Sequence, residues 1–507
     1  MTPLSRLPSL RSGGAVPRSA IPDLGWADFA RVLLTAVAQG WRVAAYFGAA
    51  EGSAVRLHLV LADDDASELA VATTLIDGAT FPSLAGDCAQ VDLFEREIAE
   101  QHGLSPTGHP RPGPVRFARP LDPRAASGAT PPAPDAPGTQ DFYTVAGEEV
   151  HEVGVGPVHA GVIEPGHFRF QCHGEEVFHL EISLGYQHRG VERALLGGPD
   201  RRTLAYVETV AGDTTIGHAT AYCEVVEALA RCRVPSRGAA LRGLALELER
   251  LANHVGDLGA LAGDVAFLPT ASWCGRLRGD FLNLTADLCG SRFGRGLARP
   301  GGAAFDADGE LAARMLDRLE AAAADCRSAI ELLWDSASVM SRFERTGTVP
   351  REVAVELGLV GPAARASGLD RDARRDHANG IFRSHPIPVA AADSGDVHAR
   401  AYVRWIEIQR SVDFARELLR ALPHGAARDP VRDATPDRLA VSLVEGWRGE
   451  ICHVALTDGD GRFARYKIVD PSFHNWSALA WAMRGQQISD FPLCNKSFNL
   501  SYCGHDL

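Results

Sequence analysis

The sequence predicts an α+β protein in two folded parts, a small N-terminal α/β domain and a larger, mainly helical domain with a small β-sheet. Three observations predict it. Residues 26–117 combine helix-like and alternating strand-like runs. Residues 118–146 are built largely from Pro, Ala, Gly, Asp and Ser, including Pro131-Pro132-Ala133-Pro134. That composition buries too little apolar surface to order itself and reads as a flexible linker. Beyond it, Leu241, Leu244, Leu248, Leu251, Val255 and Leu258 recur in steps of three and four, one buried helix face. At 507 residues the chain exceeds one ordinary core. The expected layout is a disordered tail at 1–20, a first domain at 21–117, the linker at 118–146 and a second domain at 147–507.

In the first domain a helix is expected over 28–39, then strands over 41–47 and 55–61. Acidic residues 63–65 make a turn, and a helix rich in Glu and Arg follows over 93–101. In the second domain, strands are expected at 168–172, 176–184, 450–457 and 462–468. Helices are expected at 275–293, 308–343 and 397–421, besides the periodic one.

The net charge of −13 removes nucleic acid and anionic membrane surfaces as natural partners. Hydrophobic residues at 46% and charged residues at 23% suit a globular protein. No uninterrupted apolar run reaches the roughly eighteen residues a spanning helix needs. The best stretch, residues 32–50, carries Gln39 and Arg42. The first twenty residues lack the apolar centre of a secretory signal, so the chain is expected to stay cytoplasmic. Ten cysteines occur without one C-x-x-C pair, the spacing that lets neighbouring thiolates grip one metal. They read as scattered thiols in a reducing compartment, which argues against an iron–sulfur cluster in this chain.

Several short stretches occur in the order of a known family. Phe94-Glu95-Arg96-Glu97, then Gly103, then Gly108-His109-Pro110 resembles the smaller (30 kDa type) hydrophilic subunit of complex I. Gly156-Pro157-Val158-His159, Glu164-Pro165-Gly166-His167-Phe168 and Gly185-Tyr186-Gln187-His188-Arg189-Gly190-Val191-Glu192 resemble the opening of its 49 kDa type subunit. Glu249-Arg250-Leu251-Ala252-Asn253-His254, Ala298-Arg299-Pro300-Gly301-Gly302, the 347–368 region, Gly395-Asp396-Val397-x-x-Arg400, Arg448-Gly449-Glu450 and residues 490–507 continue the match. The chain thus resembles the fused large subunits of formate-hydrogenlyase-type, group 4 nickel–iron hydrogenases, in which the two units share one chain.

The resemblance implies an oxidoreductase subunit in a membrane-associated complex, peripheral on the cytoplasmic side. Its implied partners are a small subunit carrying a 4Fe–4S cluster and membrane subunits related to cation/proton antiporters. It also implies where nickel would be held, through four thiolates. The matching positions here are Ala211, Thr214, Ser501 and Gly504, so a nickel–iron centre and hydrogenase activity are expected to be absent. An alignment shifted by one residue would offer Cys503 and His505 with Asp213 and His218 instead. The chain ends directly after this degenerate site, so no C-terminal extension is expected to be cut.

Complex I turned the equivalent cavity into a quinone pocket. His159 matches its histidine and Asp264 its supporting aspartate, with His218 nearby in the former ligand loop, while the expected tyrosine falls on Gly212. An imidazole can donate a proton to a reduced carbonyl while a carboxylate fixes its tautomer. A structural histidine and a helix-end aspartate are the competing readings. His188 and Arg189 are expected to face the cluster-bearing partner, where Arg189 would raise the cluster potential; an ion pair with Glu192 or Glu208 is the alternative. Two further functions stay open: an active quinone reductase, with Tyr186, Tyr222 or Tyr502 as replacement donor, and a non-catalytic scaffold.

Overall fold

The computed structural model describes residue 4 and residues 7–121, 137–159 and 163–507. Most of the expected linker, residues 122–136, lies outside them. In the first unit the helix Trp26–Ala38 covers a meander of strands Arg42–Glu51, Ala54–Asp63 and Glu68–Ile76, all antiparallel. The last of these strands was not foreseen. The helix Asp92–His102 packs across Arg42–Glu51 and ends at Gly103 in the left-handed conformation.

The second unit begins with a three-stranded antiparallel sheet, Val150–Val155, His167–His173 and Glu176–Ser183. Its bulk is a bundle of helices Ser236–Asp264, Leu268–Cys289, Gly309–Trp334 and Val397–Arg420. The six apolar residues from Leu241 to Val255 and Leu258 are all fully buried on the central helix, as their spacing predicts. The helix expected over 308–343 is broken, with Asp335 closing one helix and Ser336 opening the next, Ala337–Phe343. The long helix Val397–Arg420 is started by Asp396, whose carboxylate accepts from the Ala399 amide at 2.8 Å. Gly395 precedes it at φ +67°, where a Cβ would lie 2.1 Å from the Val349 carbonyl, so this motif glycine is required sterically.

A last sheet, Arg438–Gly446, Gly449–Thr457 and Phe463–Val469, joins the two units. Its outer edge is completed by Gly14–Pro17, paired to residues 438–441, while Ser9–Leu10 pairs with the first unit's sheet. Over the described residues 7–20 this corrects the expectation of a disordered tail, stated for 1–20. The segment has little pattern of its own and is ordered by backbone pairing to two sheet edges. Residues 118–121 of the expected linker are also held, since Arg193 donates to the carbonyls of Arg119 and Pro120.

Strand alternation decides what the joining sheet touches. Leu439, Val441, Leu443, Cys452, Val454, Leu456 and Val469 share one hydrophobic core with the first unit. Ala440, Ala455, Tyr466 and Ile468, on the other face, pack with Ala219, Tyr222 and Cys223 of the helix Thr215–Ala230. Charged side chains on the first face meet partners across the junction. Lys467 Nζ lies 2.6 Å from both Glu97 oxygens and 3.2 Å from Glu192, and Arg465 lies 2.9 Å from Glu192. Arg116 also pairs with Glu97, and Arg42 with Glu450.

Candidate functional site

The loop at residues 209–214 and the loop at 499–504 meet beside the central helix. The motif residues of that helix set the first loop. Glu249 accepts from the amides of Ile216 (2.7 Å) and Gly217 (3.2 Å), satisfying the first turn of Thr215–Ala230. Burial pushes its carboxyl up to about 8. Asn253 donates to the Asp213 carbonyl at 2.9 Å. Arg250 and His254 face away from the loop, into a buried network with Glu247 and Glu407.

Arg448 clamps the two loops together. It forms a bidentate pair with Asp213 at 2.6 and 2.8 Å, and its Nε donates to the Asn499 carbonyl at 2.5 Å. Burial opposes ionisation of Asp213, but Arg448 holds its carboxyl below the ordinary range. Arg189 fastens the same loops from outside, donating to the carbonyls of Val210 (3.0 Å), Cys503 (2.9 Å) and Thr209. It pairs with neither Glu192 nor Glu208 there. Its neighbour His188 bonds the Asp506 carbonyl at 2.7 Å, and both side chains remain exposed.

The four positions expected to be thiolates are buried, and their space is otherwise used. Ala211 has no donor atom. Thr214 Oγ1 lies 3.1 Å from Trp447 Nε1, which donates to it, and 3.1 Å from Asp213. Ser501 Oγ accepts from the Gly504 amide at 2.8 Å, capping the short helix Tyr502–Asp506. At Gly504 a Cβ would come within 2.6 Å of Asp470 Oδ2, so that carboxylate fills the room a side chain would take. Cys503 is a poor substitute ligand, because burial, with Glu164 beside it, pushes its thiol up to about 11, and Ser501 Oγ lies 3.4 Å from its sulfur. Asp470 is bonded to His218 at 3.0 Å, and His218 to His453 at 3.1 Å. Among the described residues no group of three or more His, Cys, Asp or Glu could hold a metal ion. Neither the straight nor the shifted set of positions fits a thiolate-held nickel.

Beside these loops opens a cavity of about 590 Å³. Glu164, Asp213, Asp257, Arg278, Arg448 and Lys496 bring charge to its wall, with Asn253, Asn499 and Tyr502. His159, Asp264 and His218 do not line it. His159 turns its Nε2 to the Gly166 carbonyl at 2.9 Å, within its own loop. Asp264 ends the central helix at an exposed position, where partial desolvation pushes its carboxyl up to about 6 against the pull of Lys496. His218 is sealed in the interior. The three expected quinone contacts are therefore not gathered into one pocket: His159 is bonded within its own segment, Asp264 lies exposed at a helix end and His218 is buried. Of the three candidate replacement tyrosines, Tyr502 alone is in the wall of this cavity. Gly212 has open space where a side chain would project.

Sequence reading missed Asp470, His453 and Tyr466, which belong to none of the motifs. It flagged Arg448 and Glu249 as motif residues without their roles. No helix among the described residues is long and apolar enough to cross a membrane.

Comparison with known proteins places the chain among a set of related sequences. The family model of the respiratory-chain NADH dehydrogenase 49 kDa subunit matches residues 264–439 and 431–506. The carbon monoxide-induced hydrogenase of Rhodospirillum rubrum is 30% identical over 69% of this chain and 97% of its own length. Formate hydrogenlyase subunit 5 of Escherichia coli is 28% identical over 83% of this chain and 76% of its own. NADH-quinone oxidoreductase subunit 4 of Thermus thermophilus is 28% identical over 68% and 90%. With this similarity running through nearly all of the hydrogenase, the chain belongs to the family of the respiratory-chain NADH dehydrogenase 49 kDa subunit and its hydrogenase relatives.

Proposed function

We propose that this chain is the large subunit of a membrane-associated oxidoreductase complex that works without a nickel–iron centre. Asp470 carries the reading: its carboxylate stands where a ligand side chain at 504 would have to be, and it is committed to His218. The surrounding loops, clamped by Arg189 and by Asp213–Arg448, form a wall of protein rather than a set of metal donors. The chain is read as a fusion of two units. In support, its 434-residue alignment with formate hydrogenlyase subunit 5 is longer than the whole second unit.

The exposed His188 and Arg189, beside the two loops, are the proposed docking face for a small subunit carrying a 4Fe–4S cluster. A fixed guanidinium there would raise the cluster's potential. Electrons would then reach the polar cavity, and the change of charge would be relayed to antiporter-like membrane subunits on whose cytoplasmic side the chain sits. A tagged chain drawn from native membranes should bring an iron–sulfur subunit with it, and the complex should reduce an acceptor without evolving hydrogen. Hydrogen evolution from reduced methyl viologen would refute the reading.

A second reading, quinone-type reduction, is favoured by Tyr502 in the cavity wall, since a phenol there could donate to a head group. The charged wall suits the head group and not an isoprenoid tail. Tyr502→Phe should abolish quinone reduction by the purified complex if this reading holds, and leave it unchanged if it does not.

A further inference from the structure

The inner face of the joining sheet holds a continuous line of hydrogen bonds. Asp470 Oδ2 lies 3.0 Å from His218 Nε2, His218 Nδ1 lies 3.1 Å from His453 Nε2, and His453 Nδ1 lies 2.9 Å from Tyr466 Oη. All four side chains are essentially without solvent contact. The line joins a helix, two strands and a helix cap. It follows from strand alternation, which turns His453 and Tyr466 toward the helix Thr215–Ala230 while Arg465 and Lys467 face the other way.

The protonation pattern of the line is determined by its bonds. Burial opposes charge on Asp470, yet His218 and Arg448 hold its carboxyl below the ordinary range, so it accepts. Burial drives His453 far down, so that ring is neutral, and burial raises the Tyr466 phenol. With Asp470 accepting and the Tyr466 hydroxyl donating inward, one arrangement places a single proton in each bond. Tyr466 O–H donates to His453, His453 Nε2–H donates to His218, and His218 Nε2–H donates to Asp470.

Both ends of the line lead somewhere. Asp470 abuts Gly504 in the loop that borders the cavity. The Tyr466 ring lies 6.4 Å from that of Tyr222, whose hydroxyl lies toward Thr203. Thr203 Oγ1 in turn lies 3.1 Å from Asp200, which is half exposed. A line kept only for stability would do better as well-packed apolar side chains, because buried polar groups recover little beyond their desolvation cost.

We propose that Asp470, His218, His453 and Tyr466 form a proton relay from the Asp200–Thr203 surface, past Tyr222, to the loop bordering the cavity. In one passage the Tyr466 proton moves to His453 Nδ1, the His453 Nε2 proton to His218 Nδ1, and the His218 Nε2 proton to Asp470. One N–H or O–H bond breaks and one forms at each joint. Tyr466 is left as phenolate until a proton arrives from the Tyr222 side, and no electron moves. The relay rests on the functional reading above only for its destination, a cavity where reduction consumes protons.

The test uses the full-length chain labelled with 15N-histidine, in which exchange of the His218 Nε2 proton with water is measured by NMR. The signal is assigned by its loss in His218→Gln. Tyr466→Phe keeps the ring and removes the proton, whereas His453→Gln keeps a hydrogen-bonding side chain that cannot shuttle one. Each should slow the exchange by about tenfold or more, the scale of a lost general acid–base step. A merely structural role moves the rate the other way, since looser packing admits water. Exchange that is unchanged or faster in either folded variant overturns the relay. A complex that accepts no electrons would defeat the functional reading and leave this result standing.

Discussion

Replacing Lys467 with Met removes the cation at the centre of the junction between the two units while keeping most of its volume. The ammonium touches both oxygens of Glu97 and reaches Glu192, and all three side chains are buried. Breaking a buried pair from one side costs about 3–5 kcal/mol, because the remaining charge is left uncompensated. Arg116 stays on Glu97 and Arg465 on Glu192, so the lower end applies, about 3 kcal/mol. At 1.4 kcal/mol per decade, the two units should hold each other about two orders of magnitude more weakly. The assay cuts the chain at a protease site placed within residues 122–136 and follows exchange of a labelled first unit. The cut wild-type chain should stay together at micromolar concentration. Arg31→Met, which removes a pair 60% exposed on both sides, should leave the dissociation rate unchanged. If Lys467→Met changes it by less than about threefold, the junction does not depend on this cluster and the reasoning fails.

Glu249 supplies a pH dependence. Its carboxyl is raised from 4.5 to about 8 by burial, so the folded chain binds more protons than the unfolded one between those values. Stability from this group is therefore full below about 4.5 and is lost as pH rises toward about 8. Glu249→Gln keeps one of the two amide contacts, since a glutamine has a single acceptor oxygen, and should flatten the fall in melting temperature over that window even as it lowers the overall value; an unaltered slope would contradict it. Gly504→Cys should not restore a ligand site. Its Cβ would press on Asp470 at 2.6 Å, costing about 1–3 kcal/mol by thermal unfolding. Adding Asp470→Ala should recover part of that loss, and strictly additive effects would show that the two positions do not touch.

The elements with a strong period were legible in the sequence, and those shaped by distant partners were not. The central helix declared itself because six buried residues repeat at helical spacing. The strand Arg438–Gly446 is buried on both faces, so its apolar run carries no alternation to separate strand from helix. Gly14–Pro17 gave no signal at all, since its order comes from pairing with the distant edge at residues 438–441. The break at Asp335-Ser336 had one local cue, a serine at the position that opens the next helix, though its side chain makes no capping bond there. In the site, the missing thiolates were visible, as were Arg448 and Glu249 as motif members. Asp470 was not, because its meaning comes from contact with Gly504 and with His218, neither near it in sequence. His159 and Asp264 illustrate the reverse: a matching motif position does not determine where a side chain points.

The central claim is that protein has replaced the metal between the two loops. Its most direct test is the nickel content of the native complex, purified through this chain under conditions that preserve its iron–sulfur partner. The account predicts nickel far below one per chain, alongside iron attributable to the partner's cluster. Nickel approaching one per chain would contradict it, because Ala211, Thr214, Ser501 and Gly504 offer that metal no thiolate.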